Sequence, residues 1–385
     1  MKTDAVFTRP IREETSRQIA LRKRGHSHGP VIRLVSPGDI GELIKPFVFL
    51  DYFDADPATA PEFGFHPHSG IATLTVILAG QAFYKETTGR EGVIETGGVE
   101  WMRASSGVWH TGGMFGKERI KGFQLWVAMP PELELAEPQS QYLGASDFHF
   151  AGPARVIAGE YDGVKSIVES PPGITYLDVR LKAGERWIFH PAKGHDVAWI
   201  ASHQGIVTTP EQVSMGKVAV FEEGDQAIEF EAVSDAGFIL GSAVKHPYDL
   251  VTGHYSVHTN AESLRIGESN IGDIGRRLHN QGGGRETPRI GEIGLVEDST
   301  MEEKLFGSDR VQLFQRMAGA PECRDRSDRR LPLRSEHFPV EARGPEIVTQ
   351  HGLIIAVATD PAMSEEIARR LNKSDWSDQE DQWAL

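Results

Sequence analysis

The feature that most constrains this chain is its punctuation: short runs of β-branched and aromatic residues recur at even intervals, each ended by glycine, proline or aspartate. From residue 31 to 129 these runs fall at 31–35, 46–50, 72–78, 92–96, 99–102 and 123–127. Helical periodicity is absent there, so the pattern predicts a closed or two-sheet antiparallel barrel rather than alternating β and α units. A proline-rich break at 129–138 is followed by a second series at 154–159, 174–179, 196–200, 205–208, 217–221 and 237–241. A second barrel of similar size is the simplest account, and 385 residues are too many for one ordinary domain.

Charge and composition exclude several function classes. With 40 Lys+Arg against 55 Asp+Glu the net charge is −15, which repels nucleic-acid phosphate and argues against a direct DNA or RNA reader. No run approaches the roughly 20 apolar residues of a membrane span. The single cysteine, Cys323, forms no internal disulfide, and the first residues carry no apolar leader, so a cytoplasmic protein is expected.

The chain ends read differently from its middle. Residues 1–30 are rich in Lys and Arg and are expected to be a solvated arm, with His26 and His28 in water. Asn260 is placed to cap a short helix, after which glycines interrupt the sequence as far as a flexible joint at 282–284. Residues 285–385 form an extension whose fold the sequence leaves open. It holds a polar stretch near Cys323 and Arg326, a buried strand at 353–358, a helix at 364–371 capped by Ser364, and an acidic end with Trp376 and Trp383.

The most specific local pattern is His66-Pro67-His68, set before the longest strand of the first half. On extended backbone, side chains at i and i+2 share a face, so both imidazoles can reach one metal ion. His110 lies on a later run that a barrel can bring back over the pair, giving three nitrogen ligands and open positions for water, dioxygen or substrate. Imidazole accepts Fe, Ni, Cu, Mn and Zn ions alike. His190 and His195, five residues apart on a Pro/Gly loop, suit a shared ion poorly and are read as turn or surface residues.

The segments 64–70, 98–102, 107–110 and 122–127, taken in order and spacing, resemble the pirin family of the cupin superfamily over roughly residues 30–265. The resemblance implies an all-β protein of two stacked cupin domains with short helices. An N-terminal cupin (31–130) would hold the metal, and a C-terminal cupin (150–265) would lack one. It implies His66, His68 and His110 as ligands of a divalent metal, iron first, with Ni, Cu, Mn and Zn as alternatives. Two carboxylates usual in the family are missing, their positions being Gly112 and Ala72. Three neutral ligands leave the full charge on the ion, which weakens binding, strengthens Lewis acidity and favours an anionic ligand. Glu100 and Glu118 are the nearest substitutes in sequence.

By the same resemblance, the chain is expected to be a quercetin 2,3-dioxygenase-type oxygenase acting on a flavonol or catechol-like substrate. Phe65, Trp101, Met102 and Trp109 would shape the pocket, unless they are plain core, and Gln124 would orient substrate or water, unless backbone groups satisfy it. Two alternatives stay open: a metal- or redox-responsive regulator that binds other proteins through its added ends, or a cupin with a vestigial site.

Overall fold

Side chains alternate across a strand, so a strand buried on both faces must serve two cores, and this is how the sheets of this protein stack. In the computed structural model the described residues are 16–57, 64–282 and three strand segments at 340–343, 346–349 and 354–357.

The first half runs β1 (Ile19–Arg24), β2 (His26–His28), β3 (Val31–Val35), a short α1 (Ile40–Ile44), β4 (Phe47–Ala55), β5 (His66–His68) and β6 (Ile71–Ala79). It continues with β7 (Gln81–Glu86), β8 (Glu91–Ile94), β9 (Val99–Arg103), β10 (Val108–Phe115), β11 (Ile120–Ala128) and β12 (Gln139–Leu143). The second half holds β13 (Phe150–Ala151), β14 (Ala154–Ala158), β15 (Glu160–Tyr161), β16 (Val164–Lys165), β17 (Ile174–Leu181) and β18 (Arg186–Phe189). There follow β19 (Val197–Gln204), β20 (Ile206–Thr208), β21 (Gln212–Ser214), β22 (Lys217–Phe221), β23 (Ile228–Ala232) and β24 (Ala236–Ala243). A closing strap comprises β25 (Val251–Gly253), β26 (Ser256–His258) and α2 (Ala261–Gly282).

The first barrel pairs a seven-stranded sheet, β12-β9-β6-β11-β4-β3-β2, with a four-stranded one, β5-β10-β7-β8. The second repeats the plan with β1-β22-β19-β24-β17-β14-β13 and β18-β23-β20-β21. The expected architecture of two stacked antiparallel barrels is what the chain adopts.

The largest apolar cluster lies between the barrels. Leu50, Leu74, Trp101, Phe123 and Leu125 of the first large sheet meet Tyr176, Trp199, Val218 and Ile239 of the second. The alternate residues of the second sheet, Leu177, Ile200, Phe221 and Leu240, face inward and fill their own barrel together with Phe189, Val213 and Phe230. The first barrel differs. Its inward row across β9, β6, β11, β4 and β3 reads Glu100, Thr75, Gln124, Asp51 and Arg33, all buried and in register. Burying polar groups where hydrocarbon would fit is costly unless they are partnered or used. The second barrel is packed shut with hydrocarbon; the first carries a polar row through its middle, with an apolar cluster of Ala55, Ile77, Ile94 and Ile120 beside it.

The segments flanking the two barrels cross over between them. Residues 19–24, expected to lie in a solvated arm, form β1 and pair with β22 of the second barrel. Just before it, the buried Arg17 donates to the backbone carbonyls of Asp196 and Glu222. Ile19 and Leu21 pack against the two apolar clusters, while Arg22 reaches Glu211 at 2.9 Å. His26 and His28 lie on β2 and are exposed. In return, the strap that follows the second barrel crosses back: Ser256 bridges to Ser69, beside β5.

Asn260 does cap α2, its Oδ1 accepting from the backbone N–H of Ser263 at 2.9 Å. The helix does not stop at its glycines, however, and two of them, Gly267 and Gly275, are packing positions. A Cβ at Gly267 would come within 2.4 Å of the His258 ring, and one at Gly275 within 2.7 Å of the Trp109 ring. Among the described residues no helix is long and apolar enough to cross a membrane.

Residues 289–385 make a separate unit. Its described part is an antiparallel sheet of β27 (Val340–Arg343), β28 (Glu346–Thr349) and β29 (Ile354–Val357), the last being the strand expected at 353–358. The joint beyond residue 282, the stretch around Cys323, the helix at 364–371, Trp376 and Trp383 lie outside the described residues.

Candidate metal centre

β5 pairs with β10 so that His66 and His110 stand opposite one another across the ladder, with His68 opposite Val108. Opposite residues share a face, and so do residues two apart on one strand. All three imidazoles therefore point into the first barrel. Their ring centres are 4.4 Å (His66–His110), 5.0 Å (His68–His110) and 5.1 Å (His66–His68) apart.

Two of the rings have their Nδ1 held by backbone. His66 Nδ1 donates to the Gly64 carbonyl at 2.9 Å, and His68 Nδ1 donates to the Tyr255 carbonyl at 3.1 Å. Donation from Nδ1 fixes the tautomer and leaves the Nε2 lone pair free. The Nε2 atoms of His66, His68 and His110 are all buried and have no hydrogen-bond partner. Possible ligand atoms of the three residues lie within 4.8 Å of one another. Burial, reinforced by mutual repulsion, holds His68 and His110 well below the ordinary imidazole pKa, and burial lowers His66 too. At neutral pH the cluster is three uncharged donors, and it could hold a divalent metal ion.

Behind His110 stand two buried carboxylates. Glu100 Oε1 lies 3.9 Å from His110 Nδ1, while its Oε2 accepts from the Thr75 hydroxyl at 2.6 Å. Burial pushes the Glu100 carboxyl up to about 7. Glu86, opposite His110 on β7, accepts from the Ser140 hydroxyl at 2.9 Å. Glu118 is exposed and takes no part.

The two positions that lack carboxylates differ. Ala72 belongs to the apolar cluster between the barrels. Gly112 shares the face of His110, and a Cβ there would meet only one atom within 4 Å, the Phe83 carbonyl oxygen at 3.1 Å. Space for a side chain beside the histidines exists at 112.

Of the expected pocket residues, Met102 and Gln124 face the barrel interior. Met102 lies opposite Thr73, and Gln124 lies opposite Thr75 with its Oε1 buried and unpartnered. Phe65 precedes β5 and is half-buried. Trp101 is not with the histidines: one residue along β9 from both Glu100 and Met102, it turns into the apolar cluster between the barrels. Trp109 likewise alternates away from His110, and its Nε1 donates to the Ile271 carbonyl of α2 at 2.7 Å. An unexpected residue takes the place of an aromatic wall: Trp126 stands edge-on to His68 at 4.8 Å and stacks on Phe49 at 4.1 Å. Its position two residues after Gln124 is the signal that could have found it. His195 is buried within its turn and His190 is exposed, so they share no site.

Comparison with known proteins gives the family. The Pirin family model matches residues 31–127. A "Pirin-like protein" of Caulobacter vibrioides is 34% identical over 210 residues, 52% of this chain and 75% of that one. The chain belongs to the pirin family. A second relative, from Pseudomonas aeruginosa and named "Putative quercetin 2,3-dioxygenase PA2418", is 32% identical over 230 residues, covering 55% of this pirin and 79% of its own length. The crystal structure of quercetin 2,3-dioxygenase from Acinetobacter baumannii superposes with a TM-score of 0.61 at 24% identity, over 68% of this chain and 98% of that one, which shows a shared fold. In this pirin all three histidines and both Glu86 and Glu100 fall inside the matched family segment. The strap residues that orient His68 fall outside it.

Proposed function

We propose that this pirin is a three-histidine metalloprotein that acts as a quercetin 2,3-dioxygenase-type oxygenase on a flavonol or catechol-like substrate, with iron as its first ion. The observation that carries the reading is the convergence of three buried, unpartnered Nε2 atoms inside the one barrel that hydrocarbon does not fill. The name of the Pseudomonas aeruginosa relative supports the substrate class.

A bound divalent ion supplies Lewis acidity for a substrate oxygen and for dioxygen. Holding it falls to His66, His68 and His110. Because all three are neutral, a deprotonated hydroxyl of an enediol or catechol is the ligand that best offsets the ion's charge. Gly112 leaves room beside His110 for that ligand. Trp126 and Met102 give the barrel an apolar wall against a ring, and the buried, unpartnered Gln124 Oε1 can accept a hydrogen bond. Glu100, with its pKa near neutrality, holds or releases a proton beside His110 Nδ1.

Anaerobic reconstitution with Fe(II), Ni(II), Cu(II), Mn(II) or Zn(II) in turn, followed by oxygen uptake with quercetin, tests this directly. Metal-dependent uptake that His66→Ala abolishes is the expected result. Metal-loaded protein inert to a panel of flavonols and catechols would overturn the oxygenase reading and favour a regulator.

A further inference from the structure

Beside the metal centre, three buried side chains form a line, two of them, Glu134 and His258, outside the matched family segment. His258 Nδ1 donates to Glu134 Oε2 at 3.1 Å, and His258 Nε2 lies 3.0 Å from Ser69 Oγ, which is 2.8 Å from Ser256 Oγ. Glu134 is further held by the Thr259 backbone N–H at 2.8 Å and the Thr259 hydroxyl at 2.7 Å. Burial pushes the Glu134 carboxyl up, but these bonds and the nearby imidazole win, and it stays ionised below the usual range. An ionised Glu134 fixes the proton of His258 on Nδ1.

The order serine, histidine, carboxylate is that of a nucleophilic triad, but its placement rules out that chemistry. Ser69 is wholly buried, and a Cβ on Gly267 of α2 would sit 2.6 Å from its hydroxyl oxygen. No substrate carbonyl could reach it.

What the line does touch is the strap. Ser69 follows His68 directly, the Val257 N–H donates to the Ser69 carbonyl at 3.3 Å, and Tyr255, whose carbonyl receives the His68 Nδ1 proton, precedes Ser256. We infer that Glu134, His258 and Ser69 are positioning residues that clamp β26 against β5, so that the Tyr255 carbonyl sets the tautomer and direction of His68. The inference rests on the three histidines being metal ligands, and it adds that the metal affinity of the first barrel depends on the contacts that hold the strap against β5.

Cobalt(II) serves as the probe, in full-length wild type and in Ser69→Ala and His258→Asn variants, at a temperature where each metal-free protein is folded by circular dichroism. His258→Asn keeps a donor for Glu134 but loses the arm to Ser69, so the two variants cut the same link from opposite ends. Affinity by competition titration should fall about tenfold in each, the low end of what loss of an outer-shell partner costs. The exchangeable, paramagnetically shifted His68 N–H resonance should broaden or vanish, a change that mere loss of stability does not produce. Variants that bind cobalt within twofold of wild type would overturn the inference, as would weaker binding with the His68 resonance intact. Wild type that binds no cobalt would instead remove the metal reading, and this inference with it. If one variant fails to fold, the other decides.

Discussion

The Nδ1 proton of His68 is received by the backbone carbonyl of Tyr255, 3.1 Å away in space and 187 residues on in sequence. A carbonyl acceptor holds a metal-binding imidazole in the required tautomer without adding charge. The centre therefore depends on its three rings and on the backbone that aims them.

Removing one ring should empty the centre. His110→Ala takes away the ligand that closes on both others, 4.4 Å from His66 and 5.0 Å from His68. Elemental analysis of wild type purified anaerobically should find about one ion per chain, and the variant close to none. Stoichiometric metal in His110→Ala would sink the three-histidine assignment.

Filling position 112 should tighten the grip. In Gly112→Glu the new Cβ meets only the Phe83 carbonyl oxygen, at 3.1 Å, so the strand shifts by a few tenths of an ångström while a carboxylate joins the neutral imidazoles. An anionic ligand in a site of low dielectric should raise affinity by at least about tenfold. Unchanged affinity in a folded variant would show that position 112 does not face the ion.

Acid should unfold the metal-free protein through its histidines. The folded pKa values of His68 and His110 are depressed by burial, so below an unfolded value of about 6.5 the unfolded chain binds more protons than the native one. Stability is thus fully present above that pH. Each such histidine removes about 1.4 kcal/mol per pH unit below it, until its own folded pKa is reached. Denaturant titrations between pH 7 and 5 check the slope, and replacing either ring by Gln should flatten it.

Glu100 should show the opposite sign. Its folded pKa of about 7 exceeds the ordinary 4.5, so the native state holds the extra proton between those values and stability declines as pH rises through them. Above pH 8 the buried charge costs about 3 kcal/mol. Metal-free Glu100→Gln, which keeps an acceptor for Thr75, should therefore be more stable than wild type at pH 8, and the difference should shrink toward pH 5. Equal stability at both pH values would mean that Glu100 is not desolvated.

Truncation between the barrels should be felt by both. Phe123→Ala opens the shared cluster where it meets the second barrel and should cost about 3–5 kcal/mol, with one unfolding transition rather than two. Two separate transitions by calorimetry would contradict a common core.

The sequence discloses the double barrel and the three histidines because both rest on local rules: turn punctuation, and the period of two that puts His66 and His68 on one face. The same period, applied to Glu100-Trp101-Met102 and to Trp109-His110, would have sent both tryptophans away from the site. It is hard to apply in strands buried on both faces, where no polar stripe marks the inside. Pairing of β1 with β22, and of the strap with Ser69, left no local trace, since a partner two hundred residues distant changes nothing in the neighbouring sequence. The glycines of α2 read as helix breakers because the rings they make room for come from elsewhere in the chain.

The crossing of the strap back over the first barrel has a consequence for biosynthesis. A ribosome delivers all three imidazoles early, yet the acceptor that steers His68 emerges only after the whole second barrel has been made. On the proposed reading a half-finished polypeptide presents its imidazoles unaimed, and tight capture of an ion would wait on completion of the strap.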